Sequence, residues 1–150
     1  MRGGACRGAV RAAGGRATGA GLLATLALAA GGCGASYPDL FVLTRGGSLP
    51  GARLTLLVND GGTVRCNGGA PRPLPDRLLL DAREIASSLA DDARRDLTLP
   101  APPRALLRFR LRDQDGTVTF SDVDAARRPR LGAVVAFTRT VAQDVCNLPR

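Results

Sequence analysis

Leu106-Leu107-Arg108-Phe109-Arg110-Leu111-Arg112 is followed by Asp113-Gln114-Asp115-Gly116 and then by Thr117-Val118-Thr119-Phe120-Ser121. Successive side chains of a strand point to opposite faces, so a two-residue apolar period marks a half-buried strand. Leu107, Phe109 and Leu111 share one face, and Arg108, Arg110 and Arg112 share the other. Val118 and Phe120 repeat the pattern against Thr117, Thr119 and Ser121 on the way back. Asp-Gln-Asp-Gly between the runs supplies turn-forming residues, so the stretch predicts an antiparallel hairpin. Antiparallel sheets commonly bury one face and leave the other to water, and both runs alternate in that way.

Working outward, Leu40 to Thr44 and Arg53 to Val58 read as two further strands, separated by Arg45-Gly46-Gly47-Ser48-Leu49-Pro50-Gly51, a loop of backbone-permissive residues. Asn59-Asp60-Gly61-Gly62 suits a tight hairpin, and Thr63 to Cys66 returns with Val64 and Cys66 on one face. The Pro/Gly stretch Gly68 to Pro75 cannot continue a central strand. Asp81-Ala82-Arg83-Glu84 has the form of a capping box. It predicts a helix carrying Ile85, Ala86, Leu89, Ala90 and Ala93 on one face and ending near Arg94-Arg95. A second helix is expected from about Arg130 to Cys146, with a stripe of Leu131, Val134, Val135, Thr138, Val141, Ala142 and Val145. The order is β-β-β-α-β-β-α. The expected fold is α+β, an antiparallel sheet of about five strands with both helices on one face.

Ahead of this lies a leader. Arg2, Arg7, Arg11 and Arg16 precede a short apolar run, Leu22-Leu23-Ala24-Thr25-Leu26-Ala27-Leu28-Ala29-Ala30, and Gly31-Gly32 lead into Cys33. The run is too short to span a membrane, and basic, apolar and small-residue segments in that order describe a secretory signal. The cysteine after the small residues resembles the lipobox of bacterial lipoproteins, with Ala30 where Leu is commonest. That resemblance implies cleavage after residue 32, a lipidated Cys33, and anchoring to the outer face of the cell membrane. The other reading is an ordinary secretory signal with a free Cys33. Residues 33 to 38 would be a short tether, its Gly34–Pro38 part reaching roughly 20 Å at full extension, and residues 39 to 148 a single domain.

The four cysteines then sort themselves. Cys6 leaves with the signal and Cys33 is the anchor, so Cys66 and Cys146 remain. An isolated pair in an oxidising compartment is most simply a disulfide. Two thiols on a metal would want further ligands, and the chain has no His and no CxxC. No metal and no cofactor is expected.

The net charge of +8 is largely a property of composition. After the signal is removed, 17 arginines face 13 acids, and lysine is absent throughout, a bias that GC-rich codon usage produces. One Tyr and no Trp leave no stacking platform for single-stranded nucleic acid, so no nucleic-acid partner is expected. The lack of His removes Ser-His-Asp and Cys-His catalysis, and the lack of Lys removes a Ser-Lys device. Glu84 is the sole glutamate. Only Asp-based chemistry is left, and most aspartates fall in turns or near helix ends, so the expectation is a non-enzymatic protein. Asp113-Gln114-Asp115-Gly116 with Asp122 and Asp124 fails as a calcium loop, because Gly116 falls at position four where an EF-hand needs it at six. The Arg108, Arg110 and Arg112 row has two readings. One is a candidate anion-binding face for carboxylates, phosphates or lipid headgroups. The plainer one is a solvated strand face whose arginines pair with neighbours and lie over Thr117 and Thr119.

Several of these features together resemble the emfourin family, bacterial inhibitors of thermolysin-like metalloproteases. They are the first strand ending in Gly46-Gly47, the strand hairpin after it, and the Leu74-Pro75 approach to a helix. The long strand Leu106 to Arg112, its return into Ser121-Asp122 and the closing helix complete the match, which covers residues 40 to 145. The lipid anchor, the Cys66/Cys146 pair and one extra residue in the Gly-Gly loop depart from it. The resemblance implies binding of a protein partner, a secreted metalloprotease or another envelope protein, through Arg45 to Gly51. The alternative is a structural envelope lipoprotein that holds anionic lipid or polymer on its arginine face.

Overall fold

The computed structural model describes residues 38–148. The leader of residues 1–32, Cys33 and the tether as far as residue 37 lie outside the described residues. Within them the chain forms β1 (Asp39–Gly47), β2 (Leu54–Asn59), β3 (Thr63–Cys66), β4 (Pro71–Pro73), α1 (Asp76–Arg94), β5 (Leu107–Arg112), β6 (Thr117–Ser121), α2 (Asp122–Ala125) and α3 (Pro129–Thr140). A single wide turn, Val141–Val145, follows α3. The six strands make one antiparallel sheet in the order β4-β3-β2-β1-β5-β6. This is the expected α+β architecture.

The sixth strand comes from the Pro/Gly stretch. Pro71 and Pro73 flank Arg72, which pairs with Val64. A proline lacks the N–H a ladder needs, so this strand is tolerated because it lies at the sheet's edge. On the opposite edge, Thr98 runs parallel to Thr119 in a single bridge, held by Leu99 N to Thr119 O at 2.9 Å and Thr119 N to Leu97 O at 2.8 Å.

Alternation along the strands collects Phe41, Leu43, Leu54, Leu56, Val58, Val64, Phe109, Leu111, Val118 and Phe120 on the inner face, all at 3% exposure or less. Phe109 and Phe120 pair across β5 and β6 with their rings stacked at 5.3 Å. α1 and α3 close over this face. α1 contributes Leu78, Ala82, Ile85, Leu89 and Ala93, and α3 contributes Leu131, Val134 and Phe137. Phe137 meets Phe41 edge-on at 6.0 Å.

Three local expectations are corrected. First, α1 starts at Asp76, and Asp81 lies inside it. Its apolar stripe already begins at Leu78, and Pro75, whose fixed φ suits a helix entry, stands just before the first turn. A capping box does form, but at Ser121–Asp124, where it opens α2. Second, Gly46 and Gly47 belong to β1, paired with Arg108 and Leu107. A Cβ on Gly47 would strike the Leu106 carbonyl, so the close approach of the two strands there requires glycine. Third, the last helix does not carry its stripe regularly to Cys146. A regular helix would put Cys146 about 140° round from Val141. Cys146 N instead donates to Val141 O at 2.9 Å, five residues back, so the wide turn stacks Cys146 over Val141. Cys146 is therefore buried, and Val145 lies only half-buried beside the core.

That wide turn completes the disulfide. Cys66 pairs in register with the buried Leu56, and its sulfur is bonded to Cys146 across a sequence separation of 80, with Cα atoms 5.9 Å apart.

Candidate functional site

Arg45 to Gly51 divides into three parts. Gly46 and Gly47 extend the strand. Leu49-Pro50-Gly51-Ala52 is a tight turn closed by Ala52 N to Leu49 O at 3.1 Å. Gly51 takes φ +71° after Pro50, and Pro followed by a positive-φ glycine is the pattern of a type II turn. Arg45 serves this turn from the strand. It lies on the inner face, in register with Leu54 and Phe109. Its Nε donates to Ala52 O at 2.9 Å and a terminal nitrogen donates to Gly51 O at 3.1 Å. Partial burial pushes the Arg45 guanidinium below its ordinary pKa, yet so strong a base stays protonated at physiological pH.

The pinned turn holds Leu49 out at 44% exposure, and Leu106, on the segment bonded to Ser48, is 49% exposed. Ser48 N donates to Leu106 O at 3.2 Å, fixing the two chain segments to one another. Leu49 and Leu106 are two of the three large hydrophobic side chains exposed among the described residues; the third, Leu80, is on α1. Behind the turn lies a cleft of about 730 Å³, floored by Leu107, Ala142 and Leu148 and flanked by Arg53 and Arg139. Neither of those arginine side chains has an ion-pair or hydrogen-bond partner among the described residues. Sequence reasoning missed Leu106, Arg53 and Arg139, because they come from other parts of the chain than the Gly-Gly loop.

The turn stands at the end of β1 away from Pro38, and β1 spans roughly 27 Å at strand rise. One end of the domain therefore receives the chain from residue 37, and the opposite end presents the turn.

On the outer face the register gathers Arg108, Arg110 and Arg112 as expected, alongside Gly46, Thr44 and Val42 of β1 and Ser121, Thr119 and Thr117 of β6. Arg108 donates to Leu99 O at 3.4 Å. The side chains of Arg110 and Arg112 make no ion pair and no hydrogen bond among the described residues; the Arg110 carbonyl accepts from the Thr44 hydroxyl at 3.4 Å. Of the three arginines, Arg108 thus has a neighbouring partner, and the side chains of Arg110 and Arg112 have none among the described residues. The reason is that nearby carboxylates accept from backbone N–H groups instead. Asp113 accepts from Asp115 N and Gly116 N at 2.8 and 3.0 Å, and Asp96 accepts from Thr117 N at 2.9 Å. The first of these makes Asp113 to Gly116 a self-bonded hairpin turn.

Asp124 is the one carboxyl held clearly below its usual range. Its main cause is the hydrogen bond from the Ser121 hydroxyl, at 2.6 Å, and Ser121 N adds a second at 2.9 Å. These bonds stabilise the helix entry.

Compared with family models, curated proteins and solved structures, the chain matches none.

Proposed function

We propose that this chain is an exported, membrane-anchored, non-enzymatic binding protein that engages a protein partner through the Leu49-Pro50-Gly51 turn and Leu106. The observation that carries the reading is the exposure of Leu49 on a pinned turn and of Leu106 on the segment bonded to Ser48, at the end of β1 opposite the tether. Exposed apolar side chains on a pre-ordered loop favour association, because little conformational freedom is lost when the partner arrives. The resemblance to emfourins names the partner class, a secreted thermolysin-like metalloprotease. The leader and the small residues before Cys33 supply the address, with Cys33 as the lipidated residue.

Protein purified from solubilised envelopes is expected to slow a thermolysin-like protease at stoichiometric concentration. Leu49→Ser with Leu106→Ser should weaken this by tenfold or more, the loss expected when apolar anchors are removed from an interface. No inhibition across a panel of such proteases, the source organism's own included, overturns the partner assignment. A fatty-acid probe should label the wild type and miss Cys33→Ser; equal labelling of the two overturns the anchor.

A further inference from the structure

The outer face of the sheet carries no helix, and across the middle of the sheet its charge is of one sign. Reading across the strands in register, Arg65, Leu57, Val42 and Arg112 form one line. Two half-buried apolar side chains are thus bracketed by guanidinium groups. The next line holds Thr55, Thr44, Arg110 and Thr119, and the one beyond it Gly46, Arg108 and Ser121. No carboxylate falls in these three lines. Asp39 lies at the end of β1, where its carboxylate accepts from Asn59 Nδ2 at 3.1 Å. Arg108, Arg110 and Arg112 stand roughly 7 Å apart along the strand. The mixed line of Val42, Leu57 and two arginines lies at the Pro38 end of β1, where the chain arrives from Cys33.

We infer that this face docks on the surface of an anionic phospholipid bilayer, with Arg108, Arg110 and Arg112 against the headgroups and Val42 and Leu57 toward the interface. Charge complementarity and the place where the preceding chain enters both select that occupant. Gly34 to Pro38 has a contour of roughly 20 Å, so a lipidated Cys33 would hold the domain within reach of the headgroups. The choice of a bilayer rests on the anchor reading. The cleft behind the Leu49 turn opens from the inner side and the far end of β1, away from the line of Val42 and Leu57.

The test compares binding of the full chain to phosphatidylcholine vesicles with and without phosphatidylglycerol. The basic leader itself favours the anionic vesicles, so the readout is the change in that preference between wild type and variant, in which the share of the leader and of any lipid cancels. Arg110→Gln with Arg112→Gln is the variant of choice, since neither side chain makes a hydrogen bond or ion pair whose loss would unfold the protein. A basic residue near an anionic surface strengthens binding about fivefold, so the double variant should lose roughly 30-fold of the preference for phosphatidylglycerol. The corresponding Lys pair should keep most of it, Arg77→Gln with Arg94→Gln on α1 should leave it unchanged, and high salt should abolish it. An unchanged preference in the Arg110/Arg112 double variant overturns the inference. So does a protein that binds soluble polyphosphate yet is indifferent to phosphatidylglycerol in the bilayer. If Cys33 proves unlabelled but the preference holds and vanishes in the double variant, the docking face stands and the anchor falls.

Discussion

Gly46 and Gly116 are both glycines beside strand ends, and the structure assigns them opposite tolerances. A Cβ on Gly46 would meet nothing within 4 Å, whereas one on Gly116, at φ +156°, would strike the Ala93 carbonyl at the end of α1. Gly116→Ala is therefore expected to destabilise by more than about 2 kcal/mol, from strain and overpacking together, and Gly46→Ala by less than about 0.5 kcal/mol. Urea midpoints of the two variants decide this; equal midpoints would remove the close approach of the β5–β6 turn to α1. Asp124 gives a residue-scale pH dependence. Its folded pKa is depressed, so its contribution is complete above the ordinary carboxylate value and is lost as pH falls through the lowered one. Asp124→Ala should cost about 1 kcal/mol at neutral pH, as the loss of a helix cap does. That gap should close on acidification. A gap that stays constant with pH would show that the carboxylate's ionisation plays no part. These residues also mark how much the one-dimensional reading resolves. Gly46-Gly47 looks like a loop from composition alone. Its assignment to β1 depends on the facing backbone of Leu106 and Leu107, and nothing in the local sequence encodes that neighbour.

At the scale of elements, the strand periods of β5 and β6 were readable because each strand has one wet face and one dry face. α1 was readable in its second half and misplaced at its start, since Asp81-Ala82-Arg83-Glu84 copies the pattern of a cap while Leu78 already belongs to the buried stripe. The closing helix hides its wide turn in the sequence, and a hydrophobic stripe assumed to be regular ends on Val145 instead of Cys146. The bond from Cys146 N to Val141 O is what aims the sulfur at Cys66. Closing a loop of this length restricts the unfolded chain by roughly 4.5 kcal/mol on the chain-entropy estimate, a large share of the 5 to 15 kcal/mol typical of a domain, roughly speaking. Replacing Cys66 or Cys146 by Ser should lower the melting temperature sharply, and replacing both should cost little more than replacing one. Two free thiols titrating in non-reduced protein recovered from its native cells would refute the bridge in the cell.

For the whole molecule, the sheet separates two surfaces. The turn of Leu49, Pro50 and Gly51 stands at one end, where Ser48 N donates to Leu106 O, and the arginines of β5 spread over the uncovered face. Helices α1 and α3 are joined by Arg130, which donates to Ser88 O at 2.7 Å and lies 3.5 Å from Asp92. Asp92 also accepts from Arg95 at 2.8 Å. This staple rests on the helix side, away from both surfaces. Period and turn chemistry by themselves determined the α+β class and the two faces of the hairpin, because alternation and turn residues act over a few neighbours. Elimination among four cysteines likewise paired Cys66 with Cys146. The tertiary structure alone decided that Leu106 is bonded to Ser48 and that Arg53 and Arg139 flank one cleft. It alone left Arg110 and Arg112 without carboxylate partners. Each of these juxtaposes residues far apart in the chain, and such contacts follow from strand order and helix placement, which short-range patterns do not specify.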